Sequence, residues 1–334
     1  MNIRSSLAFA ALALAAGNAP AASADLTVYT YESFISSWGP GPALKARFEA
    51  QCDCTIAFVG AEDGVALLNR VRLEGANTRA DVILGLDDSL IAEARAHALV
   101  RPHSIDFASV PMVAALAWAD DSFVPFDFGY FAFIYDDRKV SAPPASLAEL
   151  VAGPARVIYQ DPRTSTPGLG LLHWMRAVYG DAAPAAWARL AQHTVTVTSG
   201  WSEAYNMFLR GEADYVLSYT TSPAYHAIAD GNAHYRAVRF AEGHVAQVEV
   251  AALSAHTDDA VLANRFLAFL LSREAQEIIP VTNWMLPVRS DVALPEAFEQ
   301  LIRPDRIGFV ADEIGARRAA WVREWRDEIG RAHV

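Results

Sequence analysis

The sequence predicts an α/β fold in two lobes, each a mainly parallel sheet flanked by helices, with two crossover strands joining the lobes. Strand-length apolar runs alternate with helix-length amphipathic runs along most of the chain, the pattern of βαβ units. About 310 residues remain after an amino-terminal leader, long for one core and comfortable for two. One aromatic extended run, Phe123 to Tyr135, is long enough to leave one sheet and enter another, and is placed as the first crossover.

The leader consists of Met1-Asn2-Ile3-Arg4, an apolar run from Leu7 to Ala16, and Ala22-Ser23-Ala24 before Asp25. One positive charge, a short hydrophobic region and a small-x-small cleavage site make a secretory signal peptide of residues 1–24, too short to span a bilayer permanently. An exported, soluble product is expected, since no other apolar run reaches the roughly 18 residues of a membrane helix, Leu262 to Leu271 included. Acidic side chains outnumber basic ones 39 to 27, a net charge of −12. That balance argues against nucleic acid or an anionic membrane surface as partner and permits a cationic small ligand. The two cysteines stand as Cys52-Asp53-Cys54. In an oxidising compartment they can close a tight local disulfide. That structural reading is preferred over a metal site, which lacks two further ligands nearby, and over a nucleophile, which lacks a base.

Leu26 to Tyr31 alternates as a strand, and Gly39-Pro40-Gly41-Pro42 breaks the chain before a helix from Ala43 to Ala50. Thr55 to Val59 is a second strand. Glu62-Asp63-Gly64 starts a helix through Leu67, Leu68, Val71 and Leu73, with acids at its positive end. Asp81 to Leu86 is a third strand, followed by a helix from Ser89 to His97. Beyond the crossover, Ser146 to Val151 reads as a helix.

The stretch Arg156 to Gly170 then holds a short buried strand, a polar turn, and a helix whose first turn carries Pro167, with Ser165 and Thr166 at the N-cap. Hydroxyls beside unpaired helix N–H groups suit an anion such as phosphate; an ordinary capped helix is the alternative. Next come a helix from Pro184 to Gln192, a strand from Thr194 to Thr198, a helix from Trp201 to Leu209, a strand from Asp214 to Tyr219, and a turn at Thr220-Thr221-Ser222-Pro223. His244 to Ala252 is a return strand, and one long helix, Asp258 to Ile279, rejoins the first lobe. Ala311 to Arg326, with Trp321 and Trp325 four residues apart, is a helix that covers apolar surface. The resulting lobes are 25–123 plus 247–289 and 124–246 plus 290–334, with a ligand cleft between them.

Ligands of such sheets bind beyond the carboxyl ends of the strands. Tyr31, Asp63, Ser165 and Thr166, Trp201, and the segment Tyr219 to Tyr225 all fall just after predicted strands. Tyr31, Trp201, Tyr219, Tyr225 and Trp284 lie at strand ends or turns, where planar rings can stack on a flat heterocycle and attract a cation, for about 0.5–2 kcal/mol per contact. Core packing is the alternative for each ring taken singly. Asp63 offers a carboxylate to a cation or an exocyclic amine. The expected ligand is flat, positively charged at one point, and hydroxylated or phosphorylated at one end.

Leu26 to Tyr31, Trp38 to Pro42, Glu62 to Gly64, Phe123 to Asp127, Ile158 to Gly170, Gly200 to Tyr205, Leu217 to Tyr225 and Asn283-Trp284-Met285 resemble the periplasmic thiamine-binding proteins of bacterial ABC importers, periplasmic binding proteins of type II fold. The similarity covers nearly the whole mature chain and weakens in the leader and after about Pro304. It implies ligand contacts at Asp63, Gly64, Ser165, Thr166, Trp201, Tyr219, Thr220, Thr221 and Ser222, an aromatic wall of Tyr31, Tyr225 and Trp284, and the same Cys-x-Cys pair. It also implies thiamine and its mono- and diphosphate as ligands, delivery to the permease and ATPase subunits of an importer, and a periplasmic location. On this reading Tyr225 and Trp284, helped by Tyr31, stack on the rings. Asp63 and the Gly64 backbone answer polar groups, and Ser165 and Thr166, assisted by Tyr219 to Ser222, hold the hydroxyl or phosphate. A monomer is expected, with no catalytic residue, metal or cofactor.

Rival readings share the fold. A thiamine-degrading transferase attacks through a cysteine beside a base, and Cys52 and Cys54 stand at a helix end. A ferric-ion binder wants phenolates and carboxylates converging, usually from neighbouring tyrosines, and Tyr219 and Tyr225 are six residues apart. A polyamine binder would use more acids and leaves the anion-suited turn without a role. The nine histidines show no metal spacing.

Overall fold

The computed structural model describes residues 25–309 and 311–332, so the expected signal peptide lies outside the described residues. Strand β1 (Leu26–Tyr31) leads into a one-turn helix, α1 (Glu32–Ile35), and then α2 (Gly41–Cys52). Helix α2 stops where Asp53 takes a left-handed conformation, φ +53°, and Cys52 and Cys54 are joined across it in a disulfide with Cα atoms 5.1 Å apart. Next come β2 (Ile56–Ala61), α3 (Gly64–Glu74), β3 (Val82–Asp87), α4 (Ile91–Ala96) and the short β4 (Val100–Arg101). Strand β1 pairs in parallel with β2 on one side and β3 on the other.

After β5 (Phe123–Asp136) the plan repeats. Helix α5 (Leu147–Ala152) is capped by Ser146, whose hydroxyl accepts from the Glu149 amide. Then follow β6 (Val157–Gln160), α6 (Thr166–Tyr179), α7 (Ala183–Ala191), β7 (Thr194–Thr198), α8 (Trp201–Leu209) and β8 (Tyr215–Tyr219), with β6 parallel to both β7 and β8. The turn expected at Thr220 to Pro223 runs directly into α9 (Ser222–Ala229), because Pro223 falls in the first turn, where a helix tolerates it.

Strands β9 (Tyr235–Ala237) and β10 (His244–Ser254) come next. The single helix expected from Asp258 to Ile279 is two, α10 (Ala260–Leu270) and α11 (Arg273–Ile278). Ser272 leaves the helical conformation, and its hydroxyl accepts from the Ala275 amide as a new N-cap. Two short strands, β11 (Leu286–Pro287) and β12 (Arg306–Ile307), precede the long α12 (Ala311–Ala332).

Strands β5 and β10 carry the chain between the halves. Phe123 to Tyr130 of β5 lies antiparallel to β10, whereas Phe131 to Ile134 pairs with β8. The strand order is β2-β1-β3-β10-β5-β8-β6-β7, parallel within each half and antiparallel where the crossing strands enter. Covered on both faces, β3 and β10 are buried almost throughout. One apolar cluster packs Phe34, Leu44, Phe48, Phe266 and Leu267 onto the first half, and a larger one runs from Val65 and Ile83 through Phe131 to Trp174 and Trp187. Trp321 and Trp325 of α12 are buried against the larger cluster, as their spacing predicts. Helix α12 touches α6 and α7 on one side and α4 on the other, where Arg318 pairs with Glu93. No described helix is long and apolar enough to cross a membrane.

Candidate ligand-binding cleft

Where β5 and β10 cross, the segments that follow the strand ends of the two halves face each other around a cavity. The first half contributes Tyr31 from the end of β1, Trp38, Asp63 and Gly85. Gly85, at φ +99°, admits the Tyr31 ring; a Cβ there would lie 2.3 Å from it. The second half contributes Thr166 and Pro167 from the start of α6, Trp201 and Tyr205 from α8, Tyr219, Ser222 and Tyr225. Gln247 and Glu249 of β10 form a floor, and Asn283, Trp284 and Met285 enter from the loop before β11.

The walls are aromatic. Trp201 stacks on Tyr205, with centroids 4.8 Å apart and planes at 23°, and its indole N–H donates to the Ser218 hydroxyl over 2.8 Å. Tyr225 meets Trp284 edge-on at 5.2 Å. Trp284 adopts φ +58°, a strained conformation for a bulky residue and one that occurs where a ligand clamp over-determines the backbone. Behind this wall, His226 is fully buried with Nδ1 2.9 Å from Asp230 and Nε2 2.9 Å from the Tyr205 hydroxyl. Asp230 takes the Nδ1–H, so Nε2 accepts from Tyr205, and burial holds the imidazole pKa below its usual value.

Asp63 is where three helices meet. Its Oδ1 accepts from the amides of Gly64 (2.7 Å) and Thr166 (3.3 Å), its Oδ2 accepts from the Ser165 hydroxyl (2.6 Å), and the Trp201 amide is a further donor. Those residues begin α3, α6 and α8, so three positive helix ends converge on one carboxylate. Burial raises its pKa, and the four hydrogen bonds oppose that rise.

The turn at Ser165 thus faces the Asp63 carboxyl group. Ser165 is fully buried behind the lining, and its hydroxyl donates to Asp63. Gly64 also lies behind the lining, where a Cβ would sit 2.4 Å from Thr166 Oγ1. Thr220 and Thr221 are buried off the lining as well. Tyr31, Asp63, Thr166, Trp201, Tyr219, Ser222, Tyr225 and Trp284 do share the one cavity. The Thr166 hydroxyl is buried, faces Gly64 and has no hydrogen-bond partner.

The floor was not anticipated. Glu249 accepts from the Tyr31 hydroxyl (2.7 Å) and the Gln247 amide (2.8 Å), and the Tyr219 hydroxyl donates to Gln247 (3.0 Å). The Asn283 amide donates to Asp127 (2.7 Å) and to the Tyr31 hydroxyl (2.9 Å). Burial, then the nearby Asp127 carboxylate, holds Glu249 well above the usual carboxylate range, and burial pushes Asp127 up to about 8. No Lys, Arg or His is among the described lining residues. The sequence does carry a signal for this floor: Gln247 and Glu249, two apart among the otherwise apolar residues Val245 to Leu253, share one face of the strand.

The described residues hold no group of three or more His, Cys, Asp and Glu side chains placed to bind a metal ion. The cysteines are tied together at the end of α2 and do not line the cavity.

The chain matches the family model for bacterial extracellular solute-binding proteins over residues 43–303. The thiamine-binding periplasmic protein of Salmonella typhimurium is 54% identical over 309 residues, covering 92% of this chain and 94% of that one. Its counterpart from Escherichia coli (strain K12) is 53% identical over 311 residues, with 92% and 94% covered. A solved periplasmic thiamin binding protein superposes with a TM-score of 0.88 at 53% identity, covering 91% of this chain and 96% of that one. A ferric binding protein from Campylobacter jejuni, at TM-score 0.75 and 18% identity over 92% of this chain and 99% of that one, shares the fold alone. The fold is thus the two-lobed type II fold of periplasmic binding proteins, and the homologues at 53–54% identity are binding proteins and not enzymes. The chain belongs to the bacterial extracellular solute-binding proteins, in the family of the thiamine-binding periplasmic proteins.

Proposed function

We propose that this protein captures thiamine in the periplasm and delivers it to the permease and ATPase subunits of an ABC importer. The observation that carries this reading is the make-up of the cleft: aromatic walls from both halves over a carboxylate floor, with no basic side chain among the described lining residues. Such a site suits a flat molecule with a fixed positive charge, and thiamine joins a thiazolium to an aminopyrimidine. The names of relatives at 53–54% identity support the same ligand.

Tyr31, Tyr225 and Trp284 supply ring contacts, and Asp63 and the Thr166 hydroxyl supply polar ones. Thiamine mono- and diphosphate enter with the phosphate directed out of the mouth, because the amide and hydroxyl at the start of α6 already serve Asp63. Residues 1–24 direct export and are cleaved before Asp25, and the mature chain works as a monomer. Residues 25–123 with 247–289 and residues 124–246 with 290–334 close over the ligand as two lobes, hinged where β5 and β10 cross. Isothermal titration calorimetry with thiamine tests the reading. Micromolar or tighter binding is expected, with the vitamin recovered intact afterwards; no binding at micromolar ligand defeats it.

A further inference from the structure

Asp87, Glu249 and Asp127 occupy the neighbouring strands β3, β10 and β5, and the backbone register pairs Glu249 with Asp87 on one side and with Asp127 on the other. Direct cross-strand partners hold their side chains on one face about 5 Å apart, where like charges repel. All three are buried, Asp127 completely. One oxygen of Asp127 takes the Asn283 amide at 2.7 Å, and the other, also buried, has no partner. Contacts link this carboxylate to the cavity: Asn283 reaches the Tyr31 hydroxyl at 2.9 Å, and Tyr31 reaches Glu249, which lines the cleft, at 2.7 Å.

The groups facing Glu249 are the carboxylates of Asp127, Asp87 and Asp63 and the phenols of Tyr31 and Tyr219. Asp87 also faces Asp88 and the Arg318 guanidinium, but Arg318 is paired with Glu93, and Arg306 lies against Asp88. Glu249 and Asp127 thus face acids and phenols with no cation among them. A row of buried acids with one unpartnered acceptor, linked to an aromatic cleft, suits a cationic ligand.

We propose that Glu249 at the floor of the cleft, backed by Asp127 and Asp87 on the neighbouring strands, selects for charge: the three acids share at least one proton in the ligand-free protein, and a ligand with a fixed positive charge displaces that proton to solvent. This rests on the thiamine reading and adds what makes the site prefer the charged ring over an uncharged copy of it. The exchange balances: one carboxylic O–H bond breaks, the proton passes to the buffer, and the thiazolium charge neutralises the carboxylate left behind. Burial, which holds all three carboxyls above their usual range, and the repulsion of Glu249 by Asp127, Asp63 and Asp87 act in the same direction.

The test titrates the mature protein with thiamine and with its uncharged isostere, in which carbon replaces the thiazolium nitrogen, using two buffers of different ionisation enthalpy. Near neutral pH thiamine is expected to release about one proton per molecule bound, and the isostere none. Thiamine affinity then falls about ten-fold per pH unit from about pH 8 to about pH 6, while that of the isostere stays level. Glu249→Gln, of unchanged shape, weakens thiamine by about ten-fold or more, leaves the isostere within about three-fold, and flattens the pH slope. Asp127→Asn, with folding checked by circular dichroism, is the second variant and lowers the proton count in the same sense. Proton-neutral binding by the unmodified protein, or a folded Glu249→Gln with unchanged thiamine affinity, overturns this inference and leaves the thiamine reading standing. If the unmodified protein binds no thiamine, both fall.

Discussion

At the scale of single residues, the cleft is built from side chains in costly states. Trp284 sits at positive φ, the Thr166 hydroxyl has no partner, and Glu249 is a buried acid. Each state is one that packing alone would remove, and together they surround one hollow. Trp284 is half-buried and belongs to no large core cluster, so Trp284→Ala should cost ligand and not fold. Loss of one ring contact is worth about 1–2 kcal/mol, so the thiamine Kd is expected to rise roughly 5- to 30-fold by calorimetry, with the ligand-free melting temperature nearly unchanged. A large drop in melting temperature would mark Trp284 as a core residue instead.

At the scale of elements, helix termini organise the cleft. The starts of α3, α6 and α8 all point at Asp63, so one carboxylate satisfies amides from three helices and ties the two halves of the chain together. Ser165 stands at the N-cap of α6 but makes no capping bond with its hydroxyl, which donates to Asp63. Ser165→Ala therefore acts through Asp63 and should weaken thiamine and its two phosphates by the same factor, at most the roughly 10- to 150-fold that one lost hydrogen bond to a charged group is worth. Competition binding with the three ligands measures it. A loss confined to the phosphates would return Ser165 to the phosphate-holding role that its sequence context suggests.

At the scale of the whole molecule, two sets of buried groups set the pH response of stability. Asp87, at about 7, and Asp127, at about 8, have folded pKa values above their unfolded ones. Their contribution is full below the unfolded values and is lost as pH rises through the folded ones. His173, at about 3, and His244, at about 4, are buried imidazoles whose contribution is full above 6.5 and is lost as pH falls below it. Between about pH 6.5 and pH 8.5 the acids dominate the slope, so the melting temperature of the ligand-free protein should decline across that window. Saturating thiamine should flatten the decline. A melting temperature that rises steadily from pH 6.5 to 8.5 would show that the acid row is already ionised and compensated.

Local periodicity was enough to place most strands and helices, because each burial pattern depends on a few neighbouring residues; Thr194 to Thr198 and Trp201 to Leu209 fall where their residues predict. The break at Ser272 was hidden inside an apolar helical period that a single capping hydroxyl interrupts. Aromatic residues at strand ends marked the cleft wall for the same local reason. What the residues could not decide is which distant groups meet. Asp63 occupies the start of a helix 102 positions further on, and the acid row takes one member from each of three strands far apart in sequence. Cross-strand register and the antiparallel pairing of β5 with β10 between the halves settle those meetings, since the free energy that selects them comes from burying both faces of the assembled sheet and not from any one segment. By itself the sequence determined an exported two-lobed fold with an aromatic cleft; tertiary packing alone decided that the helix ends meet on Asp63 and that Glu249 stands in the cleft floor.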